Sequence, residues 1–410
     1  MEKRIGCVAF DGKRAMNNMT GLGNYSRLVV ELLAQRLPET ELQLYVGRMR
    51  ENPRLQRIHT MPNVRFVLPS SRMPQALWRT FGITGQLRDC INNNKNGNSD
   101  NGNKHSNATG TGFAVPELYH GLSNELPLNI GRAGIPSVVT IHDVIYRRLP
   151  ECYNLPDRIL YDFKYGRSAR AATRVIAVSE RTKLDVMEYY GIAEEKINVV
   201  YQGCDPSFLQ PVSEERKEEL RRRLNLPEKF LVQVGTIESR KNLELSVRAL
   251  SALDSGMHLV AVGRDRKGYL AKVNAIARES GVADRLHIIP GLPFSDLPAL
   301  YHCAEASLYP SRYEGFGIPV IEAISCGRPV VAATGSCLEE AGGKGAVYVN
   351  PDDPRELATT IRTILDSPRL REELTEEGKK HIARFSREAQ TEGILKTYIN
   401  AIEIYKNSSL

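Results

Sequence analysis

The sequence predicts an α/β protein built from two doubly wound domains, and three observations lead to this prediction. Short apolar runs rich in Val and Ile alternate with amphipathic stretches of helical length along the chain. The apolar runs are continuous, which indicates parallel strands covered by helices on both faces. They also fall into two successive series, so each series is expected to build its own sheet.

The candidate strands and the domain boundaries follow from this alternation. The first series comprises residues 5–10, 42–46, 64–68, 118–120, 137–142, 175–179 and 197–201. The second series comprises residues 230–235, 258–263, 286–290, 306–309, 329–333 and 346–349. We therefore expect an N-terminal domain at 1–205 and a C-terminal domain at 206–385. In the remaining segment, 386–410, apolar residues recur at helical spacing after Ser386, a suitable N-cap, so we predict a terminal helix.

Residues 91–112 differ from the rest of the chain. Eight Asn and four Gly lie among Ser, Thr and Lys, and only Ile91 and Ala108 are apolar. Such a segment cannot bury enough apolar surface to offset the entropy lost on ordering. We expect a flexible surface insertion here.

Composition excludes several classes of protein. Of the 410 residues, 41% are hydrophobic and 25% are charged, as in an average soluble globular chain. No run of about 18 apolar residues occurs and the start of the chain does not suit a signal peptide, so we expect neither a membrane-spanning helix nor secretion. The seven scattered cysteines include no CxxC pair, which is typical of reduced thiols in the cytoplasm.

The net charge of +7 is modest for a chain of this length. It suits an anionic small substrate, or a peripheral contact with acidic lipid head groups on the inner face of the membrane. It is too low to indicate binding to nucleic acid.

The strongest local motif lies at 313–323, directly after the candidate strand 306–309. Pro319 suits the first turn of a helix, and the glycines before it let a ligand approach the backbone closely. The N-terminus of such a helix is an anion site. The expected donors are the backbone N–H groups of the turn 314–318.

Two carboxylates flank this predicted anion site. Glu314 lies just before the helix and Glu322 lies one turn inside it. Carboxylates accept hydrogen bonds from sugar hydroxyls, so the pair suits a phosphate with a sugar on each side.

A second motif, at 234–242, also closes a strand and opens a helix. Gly235 and Thr236 end the strand, and Arg240 and Lys241 follow at the predicted carboxyl edge of the sheet, where ligands bind. An adjacent Arg and Lys can neutralise a diphosphate.

In the first half of the chain, Gly21 and Gly23 form a turn after the first strand. A dinucleotide fingerprint would need a third glycine where Ser26 stands and an acidic residue where Gly47 and Arg48 stand. A dehydrogenase is therefore disfavoured, whereas a turn whose amides contact a substrate phosphate stays open.

Histidines end two neighbouring candidate strands. His142 precedes Asp143 at the end of one, and His120 ends the other. A single histidine in such a place is more often structural, but two facing a cleft are equally compatible with a functional role.

Several motifs are absent from the sequence. No Asp-x-Asp pair ends a strand to hold a divalent metal against a diphosphate. Neither a P-loop nor a GxSxG elbow occurs. We expect no metal and no other cofactor.

Together these residues resemble the family 4 glycosyltransferases, retaining enzymes of the GT-B fold, and their mannosyltransferase-like branch in particular. The resemblance is carried by Glu314-x7-Glu322 with Gly-Phe-Gly-Ile-Pro inside it, by the Gly-Thr-x-Glu-x-Arg-Lys-Asn run ending at Asn242, and by the Thr-Gly-x-Gly and Thr-Ile-His-Asp segments. It spans nearly the whole chain apart from 91–112. It implies two Rossmann-like domains facing a cleft, with acceptor bound by the N-terminal domain, donor by the C-terminal domain, and the last helix crossing back to the N-terminal domain.

The family's site residues carry over onto matching positions. The resemblance implies catalytic roles for His142, Glu314, Arg240 and Lys241. It implies donor contacts by Gly21, Gly23, Gly235, Thr236, Arg240, Lys241, Phe316, Gly317, Ile318 and Glu322. Many members carry Arg where Thr236 stands, a departure that leaves phosphate binding to Arg240 and Lys241.

The implied function is retaining transfer of a hexose, with mannose as the first expectation. The donor would be a nucleotide-diphospho-sugar and the acceptor a hydroxyl of a glycan or lipid-linked glycan, without a metal. Two alternatives remain: a sugar-nucleotide epimerase or phosphorylase of the same fold, and a non-catalytic protein that binds sugar nucleotides. A phosphorylase would need a pyridoxal-phosphate lysine environment, and the sequence contains none that we can identify.

Overall fold

A computed structural model of the chain describes residues 5–70, 72–95 and 113–408. It divides into two compact units, each built around its own sheet. The first unit comprises Met1–Val144, Asn154–Tyr201 and Arg387–Leu410. The second comprises Ile145–Tyr153 and Gln202–Ser386.

The sheet of the first unit is entirely parallel in its described pairings, with the strand order β3-β2-β1-β4-β5-β6-β7. The direction of strand addition reverses between β1 and β4, and in open α/β sheets ligands bind beyond the carboxyl ends of the strands at such a point. The strands are β1 Cys7–Asp11, β2 Glu41–Tyr45, β3 Val64–Val67, β4 Leu118–Gly121, β5 Ser137–Ile141, β6 Arg174–Ala177 and β7 Ile197–Val199.

The sheet of the second unit is also parallel, with the order β10-β9-β8-β11-β12-β13. Its reversal point lies between β8 and β11. The strands are β8 Lys229–Val234, β9 Met257–Val262, β10 Leu286–Ile289, β11 Ala306–Tyr309, β12 Val330–Ala333 and β13 Ala346–Val349. The prediction of two doubly wound α/β domains is confirmed.

Helices connect most of the strands, as crossovers between parallel strands require. In chain order they are α1 Lys13–Asn17, α2 Gly21–Arg36, α3 Gln56–His59, α4 Gln75–Leu77, α5 Ile83–Lys95, α6 Ile145–Arg148, α7 Leu155–Ala171, α8 Glu180–Tyr190, α9 Glu214–Leu224, α10 Leu243–Leu250, α11 Tyr269–Glu279, α12 Leu297–Cys303, α13 Ile318–Ser325, α14 Leu338–Gly342, α15 Pro354–Asp366, α16 Pro368–Ile382 and α17 Arg387–Ser408. A π-helical turn, Trp78–Gly82, joins α4 to α5.

The terminal helix α17 is part of the core of the first unit. Its buried Ile394, Tyr398 and Ile402 lie in the same apolar cluster as Val8 and Phe10 of β1. Burying such side chains contributes roughly 1.5–3 kcal/mol each, which is why a helix so distant in sequence is held on this sheet. The second unit has a separate core around β8, β9, β11 and the helices α10 and α15.

The structure differs from the predicted boundaries in two places. Residues 145–153 pack with the second unit although the sequence division assigned them to the first. Their contacts are tertiary: Lys267 Nζ donates to the Cys152 carbonyl at 3.2 Å, and Cys152 Sγ lies 3.6 Å from Ser239 Oγ. In addition, the predicted insertion 91–112 begins inside a helix, because α5 continues to Lys95, while 96–112 lie outside the described residues.

All seven cysteines are free thiols, and none forms a disulfide. Within the ranges that the structure describes, no helix combines the length and apolar character needed to cross a bilayer.

Candidate active site

The two motifs of the second unit meet at the reversal point of its sheet. The loop after β8 carries Arg240 and Lys241, and the loop after β11 carries Glu314. Because β8 and β11 are neighbours, both loops leave the same edge of the sheet side by side. This is the position at which open α/β sheets bind ligands.

The loop after β8 is held in place by close backbone packing. Gly235 has a φ of +153°, and a Cβ on Gly263 would lie 1.8 Å from the Gly235 carbonyl oxygen. Further along, Asn242 adopts a φ of +57° and its side-chain amide donates to the carbonyls of Pro310 and Pro351. The loop that presents the basic pair is thus tied to the loop after β11.

A buried cluster of charges forms between these loops. Arg240 Nη1 lies 2.8 Å and Lys241 Nζ lies 2.5 Å from the same oxygen, Glu314 Oε1. Lys241 Nζ also donates to the hydroxyl of Tyr309 at 2.5 Å, and Arg240 Nη1 donates to the Tyr313 carbonyl at 2.8 Å. Sequence reasoning missed Tyr309, which ends β11 and looks like an ordinary strand residue.

A second carboxylate, also missed, neutralises the cluster further. Glu238 accepts from Arg240 Nη2 at 2.8 Å and pairs with Arg266 at 3.3 Å. Glu238 is the glutamate of the Gly-Thr-x-Glu-x-Arg-Lys-Asn run, so its position in that motif could have identified it as a candidate. The expected basic pair is therefore an ion-pair network, so an arriving diphosphate meets less positive charge than two unpaired cations would offer.

The Glu314 carboxyl is ionised throughout the physiological range. Burial by itself would raise its pKa, but the charges of Arg240 and Lys241 outweigh burial and lower the pKa to about 2. The family resemblance implies that Glu314 contacts the donor sugar. The structure adds that the same carboxylate is the counter-charge of the basic pair.

The turn before α13 is fixed by its backbone conformation and by packing against α14. Gly317 is the N-cap of α13 with a φ of +117°, and a Cβ there would lie 2.9 Å from Leu338 Cδ2. Backbone conformation and packing therefore both require a glycine at position 317. Cys337 Sγ lies 3.1 Å and 3.0 Å from the carbonyls of Glu314 and Phe316, and holds the turn from behind. Because the ring of Phe316 is buried, only its backbone could meet a ligand.

Glu322 lies in the second turn of α13 and is buried. Tyr301 donates a hydrogen bond to its Oε2 at 3.4 Å. Burial, together with the nearby charge of Asp205, outweighs this hydrogen bond and raises the pKa of Glu322 to about 7. The two glutamates of the motif therefore titrate in different ranges.

This raised pKa predicts pH-dependent donor binding. If ribose hydroxyls bond to the carboxylate, affinity for a nucleotide-diphospho-sugar should rise up to about tenfold from about pH 6 to about pH 8, as Glu322 loses its proton. Glu322→Gln should weaken binding and abolish the pH dependence. Calorimetry with the intact sugar nucleotide, whose phosphates do not titrate in this range, measures both. An unchanged pH profile in Glu322→Gln would exclude the assignment.

The raised pKa of Glu322 also determines how its contribution to stability changes with pH. The unfolded chain has the ordinary carboxyl pKa of 4.5, so the folded state binds the proton more tightly. The free energy of unfolding contributed by Glu322 should therefore fall as the pH rises from about 4.5 to about 7.

In the first unit, His142 follows β5 and is buried. Its Nε2 lies 2.9 Å from the carbonyl of Leu122, so this nitrogen carries the proton. The Tyr25 ring packs edge-on against it, with 4.6 Å between centroids. Burial lowers the pKa of His142 to about 4, so the imidazole is neutral at pH 7.

For His120, where the sequence left a structural and a functional role open, the structure favours the structural one. Its side chain is fully buried, with Nδ1 2.7 Å from the Tyr398 hydroxyl and Nε2 2.8 Å from Thr140 Oγ1. Both ring nitrogens are thus occupied in joining the sheet to α17. Burial lowers the pKa of His120 to about 3, which keeps it uncharged.

The two glycines at the start of α2 have different surroundings. A Cβ on Gly23 would lie 1.8 Å from the Asn18 carbonyl oxygen, whereas a Cβ on Gly21 would have no neighbour within 4 Å. Helix α2 begins at Gly21, and the first N–H groups of a helix have no intrahelical partner to donate to. The N–H of Gly23, however, already donates to the Thr20 carbonyl at 3.0 Å and to Asn18 Oδ1 at 3.3 Å, so Gly21 is the better placed of the two to meet a ligand.

This difference predicts a matched pair of variants. Gly23→Ala should lower the free energy of unfolding by about 1–3 kcal/mol, because backbone must shift to admit the methyl group. Gly21→Ala should leave stability unchanged or slightly raised. Thermal unfolding of both variants checks this, and an equal loss in both would contradict the packing explanation.

The first sheet carries a further charged cluster at its own reversal point, which sequence reasoning missed. Arg79 pairs with Asp11, the last residue of β1, at 2.9 Å and with Glu125 at 2.7 Å. Lys164 lies 3.5 Å from the same Glu125 carboxylate. Within the described residues, no group of three or more His, Cys, Asp or Glu side chains is placed to hold a metal ion.

Comparisons with known proteins agree with this architecture. The profile described as "Glycosyl transferases group 1" matches residues 216–381, and the one described as "Glycosyltransferase Family 4" matches residues 118–208. The O-antigen chain mannosyltransferase B of Escherichia coli is 28% identical over 285 residues, covering 68% of this chain and 74% of that protein. The D-inositol 3-phosphate glycosyltransferase of Thermobifida fusca is 30% identical over 245 residues, or 56% of each chain.

Solved structures resemble the fold at low sequence identity. Anabaena HepE, crystallised with UDP and glucose, matches with a TM-score of 0.72 at 18% identity, covering 97% of this chain and 100% of that chain. WaaG, a glycosyltransferase involved in lipopolysaccharide biosynthesis, matches with a TM-score of 0.63 at 17% identity, covering 95% and 98%. At such identities the likeness concerns the fold alone.

Proposed function

Since this chain belongs to the family 4 glycosyltransferases and has the GT-B fold, we propose that it transfers a hexose with retention of the anomeric configuration. The donor is a nucleotide-diphospho-sugar, with mannose as the sugar to test first. The acceptor is a hydroxyl of a glycan or a lipid-linked glycan. The observation that carries the proposal is the buried network of Arg240, Lys241 and Glu314 at the reversal point of the second sheet.

The proposed chemistry follows from the charges at this point. Breaking the anomeric C–O bond leaves negative charge on the diphosphate, and we assign its stabilisation to Arg240, Lys241 and the N-terminus of α13. The acceptor hydroxyl attacks the same face of the sugar, and its proton passes to the departing diphosphate oxygen. A retaining glycosidase route would need two carboxyls about 5 Å apart as nucleophile and acid, and we assign no such pair.

Two classes of relative guide the choice of substrates. Escherichia coli O-antigen chain mannosyltransferase B and mannosyltransferase WbdA favour a mannose donor and a glycan acceptor. The D-inositol 3-phosphate glycosyltransferases add a sugar-alcohol phosphate to the acceptors to be tested. We place the reaction in the cytoplasm, because seven free thiols suit a reducing compartment.

A ligand panel tests the proposal. UDP, GDP, ADP and their sugars are compared by thermal shift, with Glu322→Gln as the control, and GDP-mannose is expected to stabilise the protein most. A ligand at about a hundred times its Kd adds about 2.7 kcal/mol. Product analysis then separates the alternatives: a transferred sugar supports the proposal, whereas an epimerised sugar nucleotide, or binding without turnover, supports one of the other two.

We also propose that transfer needs no metal, since Arg240 and Lys241 supply the positive charge. Initial rates should be unchanged after treatment with EDTA and gel filtration. The control is the same enzyme with Mg²⁺ or Mn²⁺ restored. A rate that falls with EDTA and recovers with either ion would contradict the site as described.

A further inference from the structure

Helix α7 exposes a row of large apolar side chains. Leu155, Ile159 and Phe163 are 61%, 62% and 56% exposed and recur every four residues, so they form one stripe along the helix. Leu160, beside this stripe, is 46% exposed. Scattered exposed apolar residues are normal, but a contiguous row marks an interaction surface.

Exposed apolar side chains also lie on α4 and its π-helical turn. Leu77 and Phe81 there are 50% and 44% exposed. The two segments are joined through Leu128, whose N–H donates to the Thr80 carbonyl at 2.9 Å and whose carbonyl accepts from Arg167 Nη2 at 2.7 Å.

A groove of about 840 Å³ runs along this face. Its lining includes Leu128, Ile159 and Phe163 together with three arginines. We call the two exposed segments and the groove the α7 face, formed by Leu77, Phe81, Leu155, Ile159, Leu160 and Phe163.

Positive charge surrounds the apolar residues. Arg132, Arg167 and Arg170 line the groove and are exposed, and Arg158 lies on the same helix. The acidic residues of α7 are Asp157 and Asp162, and Asp162 lines the groove beside the three arginines. The Glu125 carboxylate nearby is paired with Arg79 and Lys164. The face therefore combines apolar side chains with an excess of arginine.

We propose that the α7 face binds the surface of a bilayer that contains anionic phospholipid. Its apolar side chains would enter the head-group region and its arginines would contact lipid phosphates, the pattern of a helix that lies in the interface. A second copy of the chain fits less well, because a two-fold contact through this face would bring the arginines of both copies together. The inference does not depend on the donor or acceptor of the proposed transfer.

Vesicle cosedimentation of the full chain tests the proposal. Vesicles of phosphatidylglycerol and phosphatidylethanolamine, at about one to three, should bind the protein, whereas pure phosphatidylcholine vesicles should not. Ile159→Ser with Phe163→Ser should weaken binding at least about tenfold. Arg132→Gln with Arg170→Gln should also weaken vesicle binding at least about tenfold. Raised salt should weaken binding of the parent in the same way, because it screens the attraction between arginines and lipid phosphates.

Matched controls lie on the second unit. Leu209→Ser removes an apolar side chain as exposed as Ile159 or Phe163. Arg222→Gln with Arg362→Gln removes two exposed positive charges, as the arginine pair of the α7 face does. Both control variants should bind vesicles as the parent does. Equal loss in the controls, equal binding to phosphatidylcholine, or no binding at all would overturn the proposal. So would sedimentation of the parent as a dimer that Ile159→Ser with Phe163→Ser dissociates. Transfer to a water-soluble acceptor should be unchanged in that double variant, which separates this test from that of the proposed function.

Discussion

Glu314→Gln is expected to slow sugar transfer by about a hundredfold or more, the scale of losing one preorganised electrostatic contact. Binding of the bare nucleoside diphosphate should stay nearly intact or become tighter. Steady-state kinetics for turnover and calorimetry with the diphosphate product measure the two quantities separately.

The reason lies in what Glu314 contacts and when its charge matters. By family resemblance its carboxylate lies next to the donor sugar, where positive charge develops as the anomeric bond breaks, so its contribution should grow in the transition state. In the free protein the same carboxylate pairs with Arg240 and Lys241. Replacing it with an amide leaves these cations less neutralised, which favours the diphosphate.

Glu238→Gln is the matched control, because Glu238 also pairs with Arg240 but stands outside the Glu314-x7-Glu322 motif. If turnover depended only on the charge of the network, both variants would slow it equally. We expect Glu238→Gln to change turnover by less than about tenfold. Loss of nucleotide affinity in Glu314→Gln but not in Glu322→Gln would show that the two roles are reversed.

Unfolding must be measured alongside these rates. Removing one partner of a buried ion pair can cost about 3–5 kcal/mol. Kinetics are therefore compared well below the melting temperature of the least stable variant. Because the pKa of Glu314 is lowered to about 2, pH changes near neutrality cannot mimic its loss, whereas they do titrate Glu322.

Lys241→Ala is expected to lower kcat/KM by about ten- to more than a hundredfold, since one charge-assisted contact to the diphosphate contributes roughly 1.5–3 kcal/mol. Part of the loss should appear in kcat, because negative charge on the leaving phosphate grows in the transition state. Initial rates over a range of donor concentrations separate the two parts.

The contacts of Lys241 explain why we expect this variant to act on diphosphate binding at the site. Its Nζ is held by Tyr309 and Glu314 at 2.5 Å each and lies 4.8 Å from the centroid of the Tyr309 ring, so it is oriented before any ligand arrives. Lys379→Ala removes an exposed lysine of the same unit and should have no effect. Unchanged kinetics in Lys241→Ala would remove this residue from the site.

Much of the fold was predictable because its signals are local. Continuous apolar strands and amphipathic helices can be recognised over ten to twenty residues, and a parallel sheet requires both. The same holds for the turns at Gly235 and Gly317, whose backbone conformations favour glycine.

Other features were not predictable, because they depend on residues that are distant in sequence. The sequence leaves a functional role for His120 open, because the residue that occupies its Nδ1, Tyr398, lies near the other end of the chain. Residues 145–153 join the second unit through Cys152, Ser239 and Lys267, and no composition signal marks such a segment.

The amino-acid sequence by itself determined two parallel α/β domains and the positions of the residues that by resemblance bind a sugar nucleotide. Only the tertiary structure decided the charge state and partners of those residues. Glu314 is ionised because two cations face it, and Glu322 holds its proton near neutral pH because it is buried with only a hydrogen bond from Tyr301 to offset the loss of water. A pKa depends on desolvation and on charges brought near through space, and neither can be read from spacing along the chain.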